Sequence, residues 1–389
     1  MIMEKKVLLN EINVNKNCLY FSTPEYELYT EQICDKIDFN TATNIPKIVE
    51  EFINKGALKG KMIVGAIPFD LEESGCLYVT NKWEVLQIPF KERKIVPSNS
   101  IQNNYVVNTK YVPTPERYMK MVEEAVKDIK GGSLDKIVLS RGVDLTFEKQ
   151  VDVLEILKRL CVDNEAGYTY ATNLYNNSFL VGASPEMLVS KRQKHIYSNP
   201  LAGSRPRGIN ANEDKLISEE LMTSTKDQKE HKFVVNNIVD KISKICKEVT
   251  YQKIPVLIKT KQLWHLSTLI EGTLKDLRQT VLEAAITIHP TPAICGVPQS
   301  AAYKKIAELE GYNRGLFTGI IGWCDENGDG DWAIVIRGAQ ICPNNVKIRA
   351  GAGIVQDSEA VSELEETKVK FRTMLNGLGM NDLIERREI

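Results

Sequence analysis

Hydrophobic residues recur at every third or fourth position in three segments of the chain, and this spacing predicts a helix in each. The first helix opens at Thr114-Pro115, with threonine as N-cap and proline in the first turn, and stops at Gly131-Gly132. A long helix begins near Thr225, and the last helix covers residues 358–375. The apolar stripe of the last helix, which should face the core, comprises Val361, Leu364 and Phe371.

Short runs of consecutive or alternating apolar residues predict strands. The runs before the last helix are residues 61–69, 76–79, 136–140, 168–171, 178–182 and 264–273. The C-terminal third predicts an antiparallel meander of strands at residues 317–323, 332–341 and 346–355. Together these elements predict an α+β fold, a single large domain with antiparallel sheets flanked by helices.

Composition and charge exclude several classes of partner. The 389 residues include 50 basic and 51 acidic side chains, so the net charge of −1 favours neither nucleic acid nor an acidic membrane surface. No apolar run resembles a signal peptide or approaches the roughly 20 residues that cross a membrane. The eight cysteines are scattered without a Cys-x-x-Cys pair, which is typical of reduced core residues. We therefore predict a cytoplasmic protein without nucleic-acid or membrane partners; its oligomeric state is open, and a monomer is compatible with the sequence.

The polar face of the last helix carries the first candidate chemistry. Glu363, Glu366 and Lys370 are three and four residues apart, so they share one face of the helix. Two carboxylates one turn apart can share a divalent cation, and a lysine one turn further can hold an anionic group beside it. The alternative is a solvated face with a Glu366–Lys370 ion pair.

A second carboxylate pair, Asp227 and Glu230, stands three residues apart in the helix that begins near Thr225. Val234 continues the stripe of Glu230 toward the buried side, so this pair also suits a divalent cation. The alternative is an acidic first turn, which the helix dipole favours.

Three polar residues stand beside or inside predicted apolar strands. Glu186 follows a hydrophobic strand, and apolar neighbours would raise the pKa of its carboxyl enough for a general acid; alternatively it starts a helix after proline. Arg337 interrupts an apolar strand, where a guanidinium is costly unless an anion pairs with it. His265 is either a hydrogen-bonded core histidine or a donor to the substrate.

Two segments of small residues would let backbone N–H groups approach an anion closely. Residues 200–208 combine Gly203 and Ser204 with two arginines, although an exposed basic loop is the alternative. Residues 349–353 place Gly351 on the strand next to Arg337. Carboxylates for a cation, together with cations and bare amides for an anion, predict a small polycarboxylate bridged to Mg²⁺; magnesium is preferred to zinc because all candidate ligands are oxygens.

Ten segments, in order along the chain, resemble the Mg²⁺-dependent chorismate-utilising enzymes. They are Lys136–Arg141, Gly182–Glu186, Pro200–Gly208, Glu230-His231, Leu263–Leu266, His289–Ala293, Phe317–Gly319, Arg337, Gly351–Gly353 and Glu363–Lys370. The resemblance covers about residues 110–380, and the first hundred residues match only in size. It implies one chorismate-binding domain over residues 1–389, with a divergent part at 1–110 and a catalytic core at 111–380.

The resemblance implies an isochorismate synthase activity, which serves catecholate siderophore (2,3-dihydroxybenzoate) biosynthesis. Lys136 stands where amine-transferring members of the family carry glutamine, which implies water as the nucleophile. Ala202 stands where aminodeoxychorismate synthases carry a nucleophilic lysine, so the covalent amine route is absent. Lys136 would then be the base for water attacking C2 of the chorismate ring, and Glu186 the acid that protonates the departing C4 hydroxyl.

The same resemblance implies Mg²⁺ as cofactor, chorismate as substrate and a role for each remaining candidate. The metal ligands would be Glu230, Glu363, Glu366 and Asp227. The clamp on the enolpyruvyl carboxylate would consist of Arg337, Lys370 and the Gly351 amide. The ring site would be lined by His265, Ala293, Phe317, Gly203 and Ser204.

Two alternatives stay open. A salicylate synthase makes isochorismate and then eliminates pyruvate in the same site, so it would share nearly all of these residues. Phe317 points away from that activity, because salicylate synthases tend to carry tyrosine there. A non-catalytic subunit that only binds chorismate or metal would not require both Lys136 and Glu186.

Overall fold

Eight α-helices and twenty strands follow one another in irregular order in the computed structural model, which describes residues 7–14, 17–37, 41–97, 104–175 and 177–380. The helices are α1 (Ile45–Asn54), α2 (Pro115–Lys130), α3 (Val153–Val162), α4 (Ala211–Thr223), α5 (Thr225–Ile245), α6 (Val281–Ile288), α7 (Gln299–Glu310) and α8 (Ala360–Gly377). The strands are β1 (Asn17–Ser22), β2 (Tyr26–Ile37), β3 (Met62–Ile67), β4 (Cys76–Gln87), β5 (Val106–Val112), β6 (Lys136–Phe147), β7 (Tyr168–Asn173), β8 (Phe179–Ser184), β9 (Met187–Arg192), β10 (His195–Asn199), β11 (Leu201–Pro206), β12 (Cys246–Tyr251), β13 (Val256–Lys259), β14 (Leu263–Ser267), β15 (Ile270–Leu274), β16 (Gly296–Val297), β17 (Ile320–Asp325), β18 (Gly330–Ile334), β19 (Gly338–Cys342) and β20 (Asn345–Ile354).

Antiparallel pairing links most of the strands into one continuous network. This network contains 17 strands, while β11, β13 and β14 form a separate three-stranded sheet. β6 joins three neighbours, since it pairs with β5, β16 and β20. The N-terminal strands belong to the same network because β1 pairs with β7 and β3 pairs with β17. The predicted α+β class, one large domain of antiparallel sheets flanked by helices, is confirmed.

The helices cover the faces of the sheets and enclose the core. α8 packs on β20 and contacts α2 and α3, while α5 packs on β11 and β12 and contacts α6. The largest hydrophobic cluster includes side chains from α2, α5, α6 and α7. An ion pair between Lys226 of α5 and Glu363 of α8 brings the first turns of these two helices together. None of the described helices is long and apolar enough to cross a membrane.

The predicted starts of α2 and α5 agree closely with the structure. The side chain of Thr114 accepts a hydrogen bond from the backbone N–H of Arg117, which is the predicted N-cap of α2. The helix predicted from Thr225 is α5, and its N-cap is the preceding Ser224, whose side chain accepts from the N–H of Asp227.

The prediction for one residue of the apolar stripe of α8 is wrong. Val361 is 65% exposed, whereas Leu364 and Phe371 are buried. The helix is rotated on the sheet relative to the prediction, so that Ala360 packs against the core in place of Val361. Ala360, Leu364, Thr367 and Phe371 then follow each other at helical spacing along the buried face.

Two strand predictions are also wrong, in each case because the chain changes partners partway. Residues 264–273 form two strands in different sheets, β14 in the three-stranded sheet and β15 in the large network. The predicted meander strand 332–341 is likewise divided into β18, which pairs with β17 and β9, and β19, which pairs with β20 and β8. The division falls at Arg337, whose φ of 52° lies in the left-handed region that a continuous strand does not use.

Candidate active site

Nearly all the predicted site residues line a single cavity. It opens where the first turns of α5 and α8 face β11, β14, β20 and the break between β18 and β19. Thirteen of the fourteen predicted residues line it: Glu186, Gly203, Ser204, Asp227, Glu230, His265, Ala293, Phe317, Arg337, Gly351, Glu363, Glu366 and Lys370. The remaining residue, Lys136, does not line the cavity but contacts Glu230, which does.

Lys136 is the first residue of β6 and is fully buried. Its Nζ lies 2.9 Å from Oε1 of Glu230, and because the angles do not suit a hydrogen bond the contact is an ion pair. Burial alone would raise the pKa of Glu230, but the contact with Lys136 and the charges of Lys370 and Lys226 together outweigh burial, so this pKa lies below its usual value. Gly353 leaves the necessary space, since a Cβ there would lie 2.5 Å from Oε1 of Glu230 and 3.1 Å from Cε of Lys136.

Glu186 lies in the tight connection between β8 and β9 and is 3% exposed. Burial raises the pKa of its carboxyl from 4.5 to about 7. The N–H of Leu201, 3.4 Å from Oε1, and the charges of Lys136 and Arg337 limit this rise without cancelling it. Below about pH 7 the carboxyl therefore holds a proton that it can donate into the cavity.

Arg337 owes its position to the break between β18 and β19. Its left-handed backbone turns the chain away from β18, and its carbonyl accepts a hydrogen bond from the N–H of Ala183 on β8 at 3.0 Å. Burial lowers the pKa of the guanidinium to about 10, which leaves it charged at neutral pH. Among the described residues no carboxylate forms an ion pair with Arg337, so its charge is available to a ligand in the cavity.

Each of the four predicted metal-ligating carboxylates is paired with a cation of the chain itself. Besides the Lys136–Glu230 pair, the closest nitrogen–oxygen distances are 2.8 Å for Arg205–Asp227, 3.3 Å for Lys226–Glu363 and 2.5 Å for Lys370–Glu366. Lys370 additionally donates to the carbonyl of Gly351 at 2.7 Å. This hydrogen bond ties the middle of α8 to β20.

The carboxyls of Glu363 and Glu366 repel each other in a buried wall. Burial, reinforced by the charge of Glu366, raises the pKa of Glu363 to about 7. Burial also raises the pKa of Asp227. A cation placed among these carboxylates would relieve both the repulsion and the cost of burial.

The four carboxylates are suitable ligands for Mg²⁺, but they are not close enough together to bind it. All four side chains are carboxylates, which are the ligands that this hard cation prefers. In the part of the chain that the structure describes, no three Asp, Glu, His or Cys side chains are grouped closely enough to hold an ion. Each carboxylate is directed to its own cation instead, so a metal site requires at least some of these pairs to open.

His265 and Ser204 form a neutral, polar part of the wall. The hydroxyl of Ser204 lies 2.7 Å from Nδ1 of His265, and Nε2 of His265 is buried without a partner among the described residues. Burial, assisted by the charges of Arg337 and Lys370, lowers the pKa of His265 well below its usual value. The imidazole is therefore neutral. Gly203 beside it has a φ of 78° and forms a bulge against β14, which suits a residue without Cβ.

A buried ion pair supports the wall formed by Ala293 and Phe317. Arg314 binds Glu310, and both side chains are almost completely buried. Its guanidinium also donates to the carbonyl of Ile294 at 2.9 Å and to the carbonyl of Val138 on β6 at 2.8 Å. The loop around residue 294 and strand β6 are thereby fixed relative to each other.

Three of the cavity residues outside the predicted set affect the geometry or charge of the site. Thr318 has a left-handed φ of 60°, which no pattern indicates for a threonine. Lys226 and Gly353 also line the cavity. The signals available were weak: Lys226 is one helical turn before Glu230, and Gly353 closes the small-residue segment around Gly351.

Comparisons with known proteins identify the family of this chain. The family described as chorismate binding enzyme matches residues 77–379. The isochorismate synthase DhbC of Bacillus subtilis is 36% identical over 380 residues, covering 94% of each chain. The vibriobactin-specific isochorismate synthase of Vibrio cholerae is 36% identical over 350 residues, covering 90% of this chain and 87% of that protein.

A solved structure from Bacillus anthracis, described as the 2,3-dihydroxybenzoate-specific isochorismate synthase DhbC, superimposes with a TM-score of 0.89 at 36% identity. The alignment covers 96% of this chain and 99% of that one. This chain therefore belongs to the chorismate-binding enzyme family.

Proposed function

We propose that this protein is an isochorismate synthase, an isomerase that converts chorismate to isochorismate. The observation that carries the proposal is a buried carboxyl of raised pKa, Glu186, in an anion-binding cavity whose wall is backed by the buried lysine Lys136. Lys136 supplies a base, and Glu186 supplies an acid whose raised pKa suits neutral pH. A subunit that only bound chorismate would need neither group.

In the proposed reaction one hydroxyl enters the ring and another leaves it. The neutral amine of Lys136, which requires its ion pair with Glu230 to be broken, takes a proton from the water that adds to C2, and the ring double bonds shift toward C4. Glu186 gives its proton to the C4 hydroxyl, which departs as water. One water is consumed and one is released, so the product is an isomer of chorismate.

Mg²⁺ is the proposed cofactor, held by Glu230, Glu363 and Glu366 with Asp227. When bound, it would neutralise the ring carboxylate of the substrate and draw electron density from the ring. The oxygen-only donor set and the repulsion between Glu363 and Glu366 support this assignment.

The other lining residues are proposed to hold the substrate. Arg337 and Lys370, with the Gly351 amide, would bind the enolpyruvyl carboxylate, since a guanidinium pairs with a carboxylate through two hydrogen bonds. The ring would lie against the neutral part of the wall: His265, Ala293, Phe317, Gly203 and Ser204.

The product is proposed to enter catecholate siderophore biosynthesis. Two relatives support this: one solved structure is described as 2,3-dihydroxybenzoate-specific, and the Vibrio cholerae relative as vibriobactin-specific. We further propose a divergent segment at residues 1–110 and a catalytic core at 111–380 within one domain.

Chorismate incubated with the enzyme and Mg²⁺ in ¹⁸O-labelled water tests the proposal. Chromatography with mass detection should find isochorismate carrying one ¹⁸O in the hydroxyl at C2. A parallel assay for pyruvate with lactate dehydrogenase separates the alternatives, because a salicylate synthase would release pyruvate and salicylate. An aminated product that depends on ammonium would contradict water as the nucleophile.

A further inference from the structure

Lys226 is a cavity residue for which the proposed reaction provides no role. It lies in the first turn of α5, lines the cavity, and places its Nζ 3.3 Å from Oε1 of Glu363. The Glu363 side chain is only 3% exposed, whereas the Lys226 side chain is 30% exposed. A buried carboxylate is thus neutralised by a lysine whose stem reaches in from solvent.

The other cations of the cavity are held more firmly or act on another carboxylate. Lys136 is fully buried, and Lys370 is 12% exposed and also bound to the carbonyl of Gly351. Arg205 is 38% exposed, but its partner is Asp227 rather than either carboxylate of α8. Lys226 is therefore the cation that can leave the α8 carboxylates by rotating its own side chain into water.

We infer that Lys226 is a built-in competitor of the metal: it neutralises Glu363 in the metal-free enzyme and withdraws to solvent when Mg²⁺ binds. The inference rests on the proposed metal site, and it assigns to Lys226 the setting of metal affinity. It also explains why the candidate ligands are not grouped closely, since Glu363 is directed to Lys226 and Glu366 to Lys370.

The consequence for binding follows from charge alone. A metal that enters must break the Lys226–Glu363 pair and then sits beside a displaced ammonium, so both effects weaken its binding. Removing the lysine charge should tighten metal binding. It should also leave Glu363 and Glu366 to repel each other in the metal-free enzyme, which should lower its melting temperature.

Calorimetric titration of chelator-treated, full-length enzyme with MgCl₂ in the absence of substrate tests this. Lys226→Met should bind Mg²⁺ at least about fivefold more tightly than the wild type. Lys226→Gln should behave in the same way and serves as the second neutral variant. Lys226→Arg keeps the charge and should stay within about twofold of the wild type. Lys229→Met, at an exposed position on the same helix, is the matched control and should also change little.

Thermal melting provides the second readout. Metal-free Lys226→Met should melt below the wild type, and added Mg²⁺ should raise its melting temperature by more than it raises that of the wild type. Unchanged or weaker Mg²⁺ binding by both neutral variants, with a wild type that binds, would overturn the inference and leave the proposed metal site intact. A wild type that binds no Mg²⁺ at millimolar concentration would overturn both.

Discussion

Replacing Glu186 with glutamine should change the pH dependence of stability in a direction that its surroundings determine. Burial raises the pKa of this carboxyl from 4.5 to about 7 in the folded protein. An acid whose pKa is raised by folding stabilises the fold below its unfolded pKa, and this contribution is lost as pH rises through the folded pKa. Wild-type stability should therefore fall between about pH 4.5 and pH 7 because of Glu186.

The size of this effect follows from the same two pKa values. A change from 4.5 to about 7 corresponds to about 3 kcal/mol. Glutamine does not ionise, so Glu186→Gln should gain about 3 kcal/mol relative to the wild type between about pH 4 and pH 8.5. For 389 residues, with about 2.1 cal/mol/K of unfolding entropy per residue, this gain corresponds to a difference of about 4 °C in melting temperature.

The assay is thermal melting of both proteins, free of metal and substrate, across that pH range. Glu123→Gln, at an exposed position of α2, is the control and should show a difference that does not vary with pH. A flat difference for Glu186→Gln, or a variant that becomes relatively less stable at high pH, would refute the reasoning. The wild-type kcat/KM should also decline as pH rises through about 7, because the free enzyme then loses the proton of its proposed acid.

Four further substitutions test the remaining roles. Lys136→Ala should reduce kcat by roughly 10²–10⁴ with a much smaller change in KM, and near-normal turnover would mean that Lys136 is only a structural residue. Arg337→Ala should mainly raise KM in steady-state kinetics, because the carboxylate clamp acts in ground and transition states alike. Glu366→Gln should lose most activity yet keep its circular-dichroism spectrum, whereas full wild-type activity in excess EDTA would exclude a metal role. Gly353→Ala should force Glu230 away from Lys136, lowering kcat and destabilising the fold by about 1–3 kcal/mol in a melting experiment.

The parts of the fold that the sequence predicts well are those governed by local rules. Thr114 and Pro115 start α2 as expected, because capping and a fixed proline φ depend only on neighbouring residues. The polar face of α8 was likewise predictable, since Glu363, Glu366 and Lys370 follow helical spacing and all line one cavity. Val361 was assigned to the wrong face because the rotation of a helix depends on the sheet beneath it.

The features that the sequence does not reveal depend on distant parts of the chain. Arg337 interrupts an apolar run that predicts one strand, but only the exchange of strand partners on either side of it requires the chain to break there. The pairing of Lys226 with Glu363 joins residues 137 positions apart, beyond any local pattern. The cytoplasmic location and the absence of nucleic-acid partners stay predictions, and the oligomeric state stays open.

The buried ion pair between Arg314 and Glu310 bears on the design of inhibitors for this cavity. One guanidinium anchors the loop at Ile294 and strand β6 together, and its stacking near Phe69 and Phe317 leaves it little room to move. A bulky ring substituent directed at the Ala293 side would meet a backbone that resists displacement, because shifting it would leave a buried charge partly unpaired. Compounds should therefore gain affinity by extending toward Lys226 and solvent.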